Sequence, residues 1–136
     1  MIYLDSAALV KLIREERETR ALVDWLNERE GQRLVASVLV DVEVPRALCR
    51  SQPGVLGAVA ATLARIDRIE LDAAIRATAA AYVDPLLRSL DAIHLATADQ
   101  LIASGKNVSA FVTYDKRLAE AARSCSLSVA APGAAV

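Results

Sequence analysis

Leu90-Asp91-Ala92-Ile93-His94-Leu95-Ala96-Thr97-Ala98 is an apolar run with an acid at its second position. Read as a helix opening near Ser89, it sets Leu95, Ala98 and Ile102 four, seven and eleven residues beyond Asp91, on one face at the helical period. Asp91 is therefore predicted to lie on the buried face. A carboxylate there is costly unless a cation or hydrogen-bond donors meet it.

Three other acids stand beside apolar runs. Asp5 follows Met1-Ile2-Tyr3-Leu4, Glu43 lies within Val38-Leu39-Val40-Asp41-Val42-Glu43-Val44, and Asp115 follows Phe111-Val112-Thr113-Tyr114. Four carboxylates drawn from distant parts of one chain converge on a cation, so the pattern predicts a divalent-metal site. Hard oxygen ligands without a Cys or His cluster favour Mg²⁺ or Mn²⁺ over zinc, and such an ion suits phosphoryl chemistry.

Around these acids the chain alternates strands and helices. Met1 to Leu4 reads as a buried strand, followed by a helix over 7–14 capped by Asp5 or Ser6 and a second from about Glu18 to Arg29, ended by Gly31. Arg33 to Ala36 is the second strand, and Ser37 is expected to cap a helix carrying Glu43. Pro45 inside that helix predicts a kink or an early break, because it lacks a backbone donor and clashes with the preceding turn. Further helices are expected over 55–66, from Asp72 to about Tyr82, from Ser89 to Gly105 and from Asp115 to about Arg123. The remaining strands are expected over 68–71 and 110–113, with 127–129 as a candidate edge strand and a frayed tail beyond 130.

Strands of near-continuous apolar character separated by helices imply an α/β fold, a parallel sheet of four or five strands flanked by helices. In such sheets ligands sit beyond the carboxyl ends of the strands, at a switch in strand order. A chain of 136 residues forms one domain and buries roughly two thirds of its unfolded surface.

Net charge is −1, and becomes +3 once the four site acids are set aside as neutralised. A bulk positive field is thus excluded as the basis of nucleic-acid binding, but a nucleic-acid substrate is permitted. Asp5 interrupts the apolar start too early for a signal peptide, no run approaches a membrane span, and Cys49 and Cys125 match no zinc spacing. The expectation is a reduced, cytoplasmic protein without membrane attachment.

Each acid has a plainer reading. Asp5 and Asp115 could be helix caps, a role compatible with metal binding because a carboxylate has two oxygens. Glu43 could pair with Arg46 or Arg50 on a surface helix. Asp41 lies about 200° round the helix from Glu43, so the two cannot face one site. Asp99, roughly 12 Å along the helix axis from Asp91, is expected at the rim or in solvent. His94 could touch a metal, although a lone histidine is more often a hydrogen-bonded structural residue.

Four stretches together resemble the PIN domain, and within it the VapC-type toxin ribonucleases of bacterial toxin–antitoxin pairs. They are Met1-Ile2-Tyr3-Leu4-Asp5-Ser6-Ala7-Ala8, Val42-Glu43-Val44-Pro45-Arg46-Ala47-Leu48, the Leu90 to Ala98 run, and Val112-Thr113-Tyr114-Asp115-Lys116-Arg117-Leu118. The resemblance implies a PIN domain over 1–130 with a short tail over 131–136. It assigns Asp5, Glu43, Asp91 and Asp115 as the catalytic and metal-holding acids, with Ser6 and Thr113 supporting them. The implied reaction is Mg²⁺- or Mn²⁺-dependent hydrolysis of an RNA phosphodiester by a metal-activated water. It also implies a homodimer and a cognate VapB-type antitoxin whose tail blocks the acidic pocket. The alanine- and leucine-rich helices between Val55 and Leu87 could serve the dimer or simply pack as core.

Two other classes compete. A catalytically silent PIN-like module would bind RNA or protein without turnover. A receiver-like signalling domain would need an adjacent acid pair after the first strand, and Asp5 stands alone there. Arg14, Arg17, Arg46, Arg50, Lys116 and Arg117 are candidate RNA contacts by their nearness in sequence to the acids.

Overall fold

The structure is a computed structural model describing residues 1–135. Its strands are β1 (Ile2–Leu4), β2 (Leu34–Ser37), β3 (Asp67–Ile69), β4 (Ala110–Val112) and β5 (Val129–Ala130). They form one parallel sheet in the order β3-β2-β1-β4-β5. The helices are α1 (Ser6–Ile13), α2 (Thr19–Asn27), α3 (Val40–Ser51), α4 (Val59–Leu63), α5 (Ala73–Ala81), α6 (Ser89–Ala103) and α7 (Lys116–Ser124). The chain builds outward from β1 to β3, then returns to pair β4 on the other side of β1. The switch in strand order therefore falls between β1 and β4.

Pleating sorts the core into two layers. Ile2, Leu4, Ala36, Ala110 and Val112 face one side with Leu9, Leu22, Val44 and Leu48 of the helices, while Tyr3, Val35 and Phe111 face the other with Leu95 and Leu118. Successive residues of a strand buried on opposite faces explain the unbroken apolar runs. The Tyr3 and Phe111 rings stack with centroids 5.0 Å apart. Among the described residues no helix is long and apolar enough to cross a membrane.

Several local expectations are corrected by packing. Pro45 does not break α3, which continues to Ser51. A proline inside a helix costs about 3 kcal/mol, whereas burying Val40, Val44 and Leu48 on the sheet contributes about 1.5–3 kcal/mol each. Ser37 ends β2 instead of capping α3, although its hydroxyl accepts the Leu39 amide at 3.1 Å. The segment 55–66 divides into a 3-10 helix, Pro53–Ala58, and the short α4.

Helix α6 is buried nearly all round over 92–98, so it lacks the single inward face that the spacing suggests: Ile102 is exposed, and Asp91 is half-buried at its open end. The tail is docked over its described part. Tyr114 Oη donates to the Pro132 carbonyl at 2.9 Å, and Gly133, at φ +85°, lies so close to α2 that a Cβ would stand 2.9 Å from Ala21 Cβ. Val136 of the expected tail lies outside the described residues.

Candidate active site

Three acids lie around the switch in strand order, near enough for their charges to act on one another. Asp5 follows β1 and is 5% exposed. Its Oδ1 accepts the Ala8 amide at 2.9 Å, which caps α1. Asp115 stands in the same way before α7, its Oδ1 accepting the Leu118 amide at 2.9 Å. The ends of the two strands are joined by the Asp5 amide, which donates to the Val112 carbonyl at 3.2 Å. Asp91 lies in the first turn of α6.

The charges of these acids act on one another. Burial lifts the Asp5 carboxyl above its ordinary range, opposed by His94, the Thr113 hydroxyl and the Ala8 amide, and Asp115 adds to the rise. Burial also lifts Asp91, reinforced by Asp115 and Asp5 and opposed by His94 and Arg88. Repelling carboxylates in a half-dry crevice are the electrostatic setting that a cation relieves.

Ser6 and Thr113 adjoin the acids. The fully buried Thr113 accepts the Asp115 amide on Oγ1 at 3.2 Å and lowers the Asp5 carboxyl by a hydrogen bond, linking that carboxyl to the Asp115 backbone. Ser6 Oγ donates to Glu43 Oε1 at 2.7 Å.

Glu43 is partnered apart from the three aspartates. His94 Nε2 meets the same Oε1 at 2.8 Å. Burial pushes the Glu43 carboxyl up, but the hydrogen bonds from His94 and Ser6 and the His94 charge outweigh it, leaving a net lowering. Neither Arg46 nor Arg50 pairs with it; both are exposed and make no ion pair among the described residues. Asp41 points away and binds Arg68 at 2.9 Å. Asp99, expected at the rim or in solvent, is half-buried and accepts the Tyr82 hydroxyl, so it is not free in solvent.

Among the described residues no group of three or more Asp, Glu, His or Cys side chains comes close enough to hold one metal ion. The donor set still fits a hard cation. All four acids offer carboxylate oxygen, and an ion such as Mg²⁺ takes few protein ligands and keeps several waters.

A groove of about 360 Å³ is lined by Glu43 together with Ser6, Ala7, Val10, Arg46 and Arg50. A smaller apolar pocket of about 70 Å³ beside Leu26 and Ile66 contains none of the acids and offers no comparable chemistry.

The sequence leaves His94 between a metal contact and a structural role and gives Tyr3 no part in the site. Two signals were available: His94 lies one helical turn from Asp91, and a tyrosine hydroxyl buried in a strand needs a polar partner.

The PIN domain family profile matches residues 2–124. Over 135 residues the chain is 57% identical to Ribonuclease VapC35 of Mycobacterium tuberculosis, covering 99% of each sequence. Its fold is like the crystal structure of Mycobacterium tuberculosis VapC20, a sarcin-ricin loop cleaving toxin, with TM-score 0.70, 16% identity and coverage of 89% of this chain and 95% of that one. It is also like a chain of a toxin–antitoxin complex from Klebsiella pneumoniae, with TM-score 0.63, 20% identity and coverage of 86% and 88%. Matched over nearly its whole length by both the profile and a relative of this identity, the chain belongs to the PIN-domain family, among its VapC members.

Proposed function

We propose that the chain is a divalent-metal-dependent endoribonuclease and the toxin of a type II toxin–antitoxin pair. The observation that supports this reading is the mutual charge influence of Asp5, Asp91 and Asp115 around the β1–β4 switch, in a chain 57% identical to a ribonuclease. Asp5, Glu43, Asp91 and Asp115 would hold Mg²⁺ or Mn²⁺. Bound there, the ion supplies an activated water and neutralises charge on the phosphate.

The chain's own groups prepare the acids for this task. The Ala8 amide and Thr113 orient Asp5, the Leu118 amide orients Asp115, and His94 with Ser6 keeps Glu43 ionised. Arg46 and Arg50, exposed along the groove that Glu43 also lines, suit the phosphates of a single strand.

The partners are a VapB-type antitoxin, supported by the fold shared with a toxin–antitoxin complex, and a second copy of the chain. Val83 and Leu86, exposed within the 55–87 region, support the homodimer. The setting is cytoplasmic, and the domain spans 1–130.

The open spacing of the acids favours a second reading, a silent PIN-like module that binds RNA or protein without turnover. One experiment separates the two: cleavage of total RNA by the purified, antitoxin-free protein with Mg²⁺, with Mn²⁺ and with chelator, alongside folded Asp91→Asn. Metal-dependent cleavage that is lost in the variant supports the nuclease. Its absence from the wild type overturns the nuclease in favour of the binding module.

A further inference from the structure

We propose that His94, braced by Tyr3 and Ser37, is the positioning residue for Glu43: it fixes one carboxylate oxygen so that the other is presented to the metal. The inference rests on the metal-dependent reading above.

His94 is the chain's only histidine and is 2% exposed. Both ring nitrogens are engaged, Nδ1 with Tyr3 Oη at 2.7 Å and Nε2 with Glu43 Oε1 at 2.8 Å. The direction of the chain follows from what each group can give. The Ser37 amide can only donate, and Tyr3 Oη accepts it at 3.1 Å. The Glu43 carboxylate can only accept, so Nε2 carries a proton and donates it to Oε1 whichever charge the ring bears, while Tyr3 Oη holds Nδ1.

The brace starts on the sheet. Tyr3 belongs to β1, the central strand, and is fully buried against Phe111, while the Ser37 amide belongs to the end of β2. Glu43 is a long side chain on a helix whose N-terminus has no side-chain cap, and left alone it would sample several rotamers. His94 and Ser6 both bind Oε1, and no donor among the described residues meets Oε2. Asp5 and Asp115 share this pattern, each with one oxygen anchored in a cap.

A histidine needed only for packing would be satisfied by neighbours within the core. This one sends its second nitrogen out of the core to a half-buried acid at the site. Helix α6 thus contributes Asp91 directly and controls Glu43 one turn later.

The test is Mn²⁺ binding to the purified full chain, followed by isothermal titration calorimetry. His94→Met removes the donor at similar volume and should weaken binding about tenfold, the usual effect of losing a residue that orients a metal ligand. His94→Gln can place an amide N–H near the Nε2 position and should recover most of the affinity. In a Glu43→Gln background, His94→Met should cause no further loss, whereas a residue acting only through the fold would cost the same in both backgrounds.

Wild-type affinity in folded His94→Met, or an additive loss in the double variant, overturns the proposal. If His94→Met does not fold, Tyr3→Phe takes its place: it keeps the ring pair but removes the brace, and must give a smaller loss of the same sign. No change in that variant is equally fatal. Failure of the wild type to bind Mn²⁺ overturns this inference together with the metal-dependent reading. Normal wild-type binding with indifferent His94 and Tyr3 variants overturns this inference alone.

Discussion

Asp5 and Asp115 stand in the same relation to the helices they precede, each accepting through Oδ1 the amide three residues on, at 2.9 Å. They do so at the ends of two strands paired in parallel, so two helix caps lie side by side in the switch-point crevice. The caps explain how the fold tolerates acids there.

Cap and charge can be separated by substitution. Asparagine caps about as well as aspartate, so in chelator Asp115→Asn should keep wild-type stability and Asp5→Asn, which also sheds a buried charge, should be at least as stable, while each alanine variant should fall about 1 kcal/mol below its asparagine counterpart. Urea denaturation reads the difference, and RNA cleavage should disappear in all four variants. An asparagine variant as unstable as the alanine one would refute the capping role.

Asp91 makes no such cap, and burial together with Asp115 and Asp5 raises its carboxyl. Its folded pKa lies above the ordinary 3.8, so between those two values the native state binds more protons than the unfolded chain. Stability therefore falls as pH rises through that interval. In chelator at neutral pH, Asp91→Asn should melt above the wild type, with the gain disappearing toward pH 3.8. Saturating Mg²⁺ should reverse the order, because only the wild type gains from strong binding. Thermal melts at several pH values test both statements.

Arg46 and Arg50 are exposed beside the Glu43 groove without ion pairs among the described residues. If they meet phosphates, replacing both with alanine in the inactive Asp91→Asn background should weaken single-stranded RNA binding. It should also flatten the dependence of log K on log salt by about 0.7 for each arginine. An unchanged salt slope would place the RNA path elsewhere.

Gly133 meets α2 with a φ of +85°, and an added Cβ would stand 2.9 Å from Ala21 Cβ. Gly133→Ala should cost about 1–2 kcal/mol from the left-handed backbone alone. Adding Ala21→Gly should recover only the clash, leaving the backbone penalty. Full recovery in the double variant would show that the φ angle is unimportant.

What could be read without coordinates is what local chemistry decides. The caps of α1 by Asp5 and of α7 by Asp115 depend on an amide three residues away, and both form. The apolar runs of β1 and β4 announce strands buried on both faces, and their alternation with helices implies the parallel sheet. Asp5 and Asp115 after those runs, and Glu43 and Asp91 inside the apolar stretches of α3 and α6, were visible for the same reason, since a charge beside a buried element stands out in the sequence.

Contacts that close across the chain were beyond local reading. Tyr3 and His94 are 91 residues apart, and Glu43 and His94 are 51 apart. Neither spacing nor propensity tells whether a lone histidine ends against the core or against an acid. The continuity of α3 through Pro45 was hidden because it depends on packing against the sheet, and the tail's docking because it needs α2 beside it. The residues themselves determined which groups could carry the chemistry. Only the folded chain decided their partners, because a side chain's partner is chosen by the backbone path that brings distant segments together.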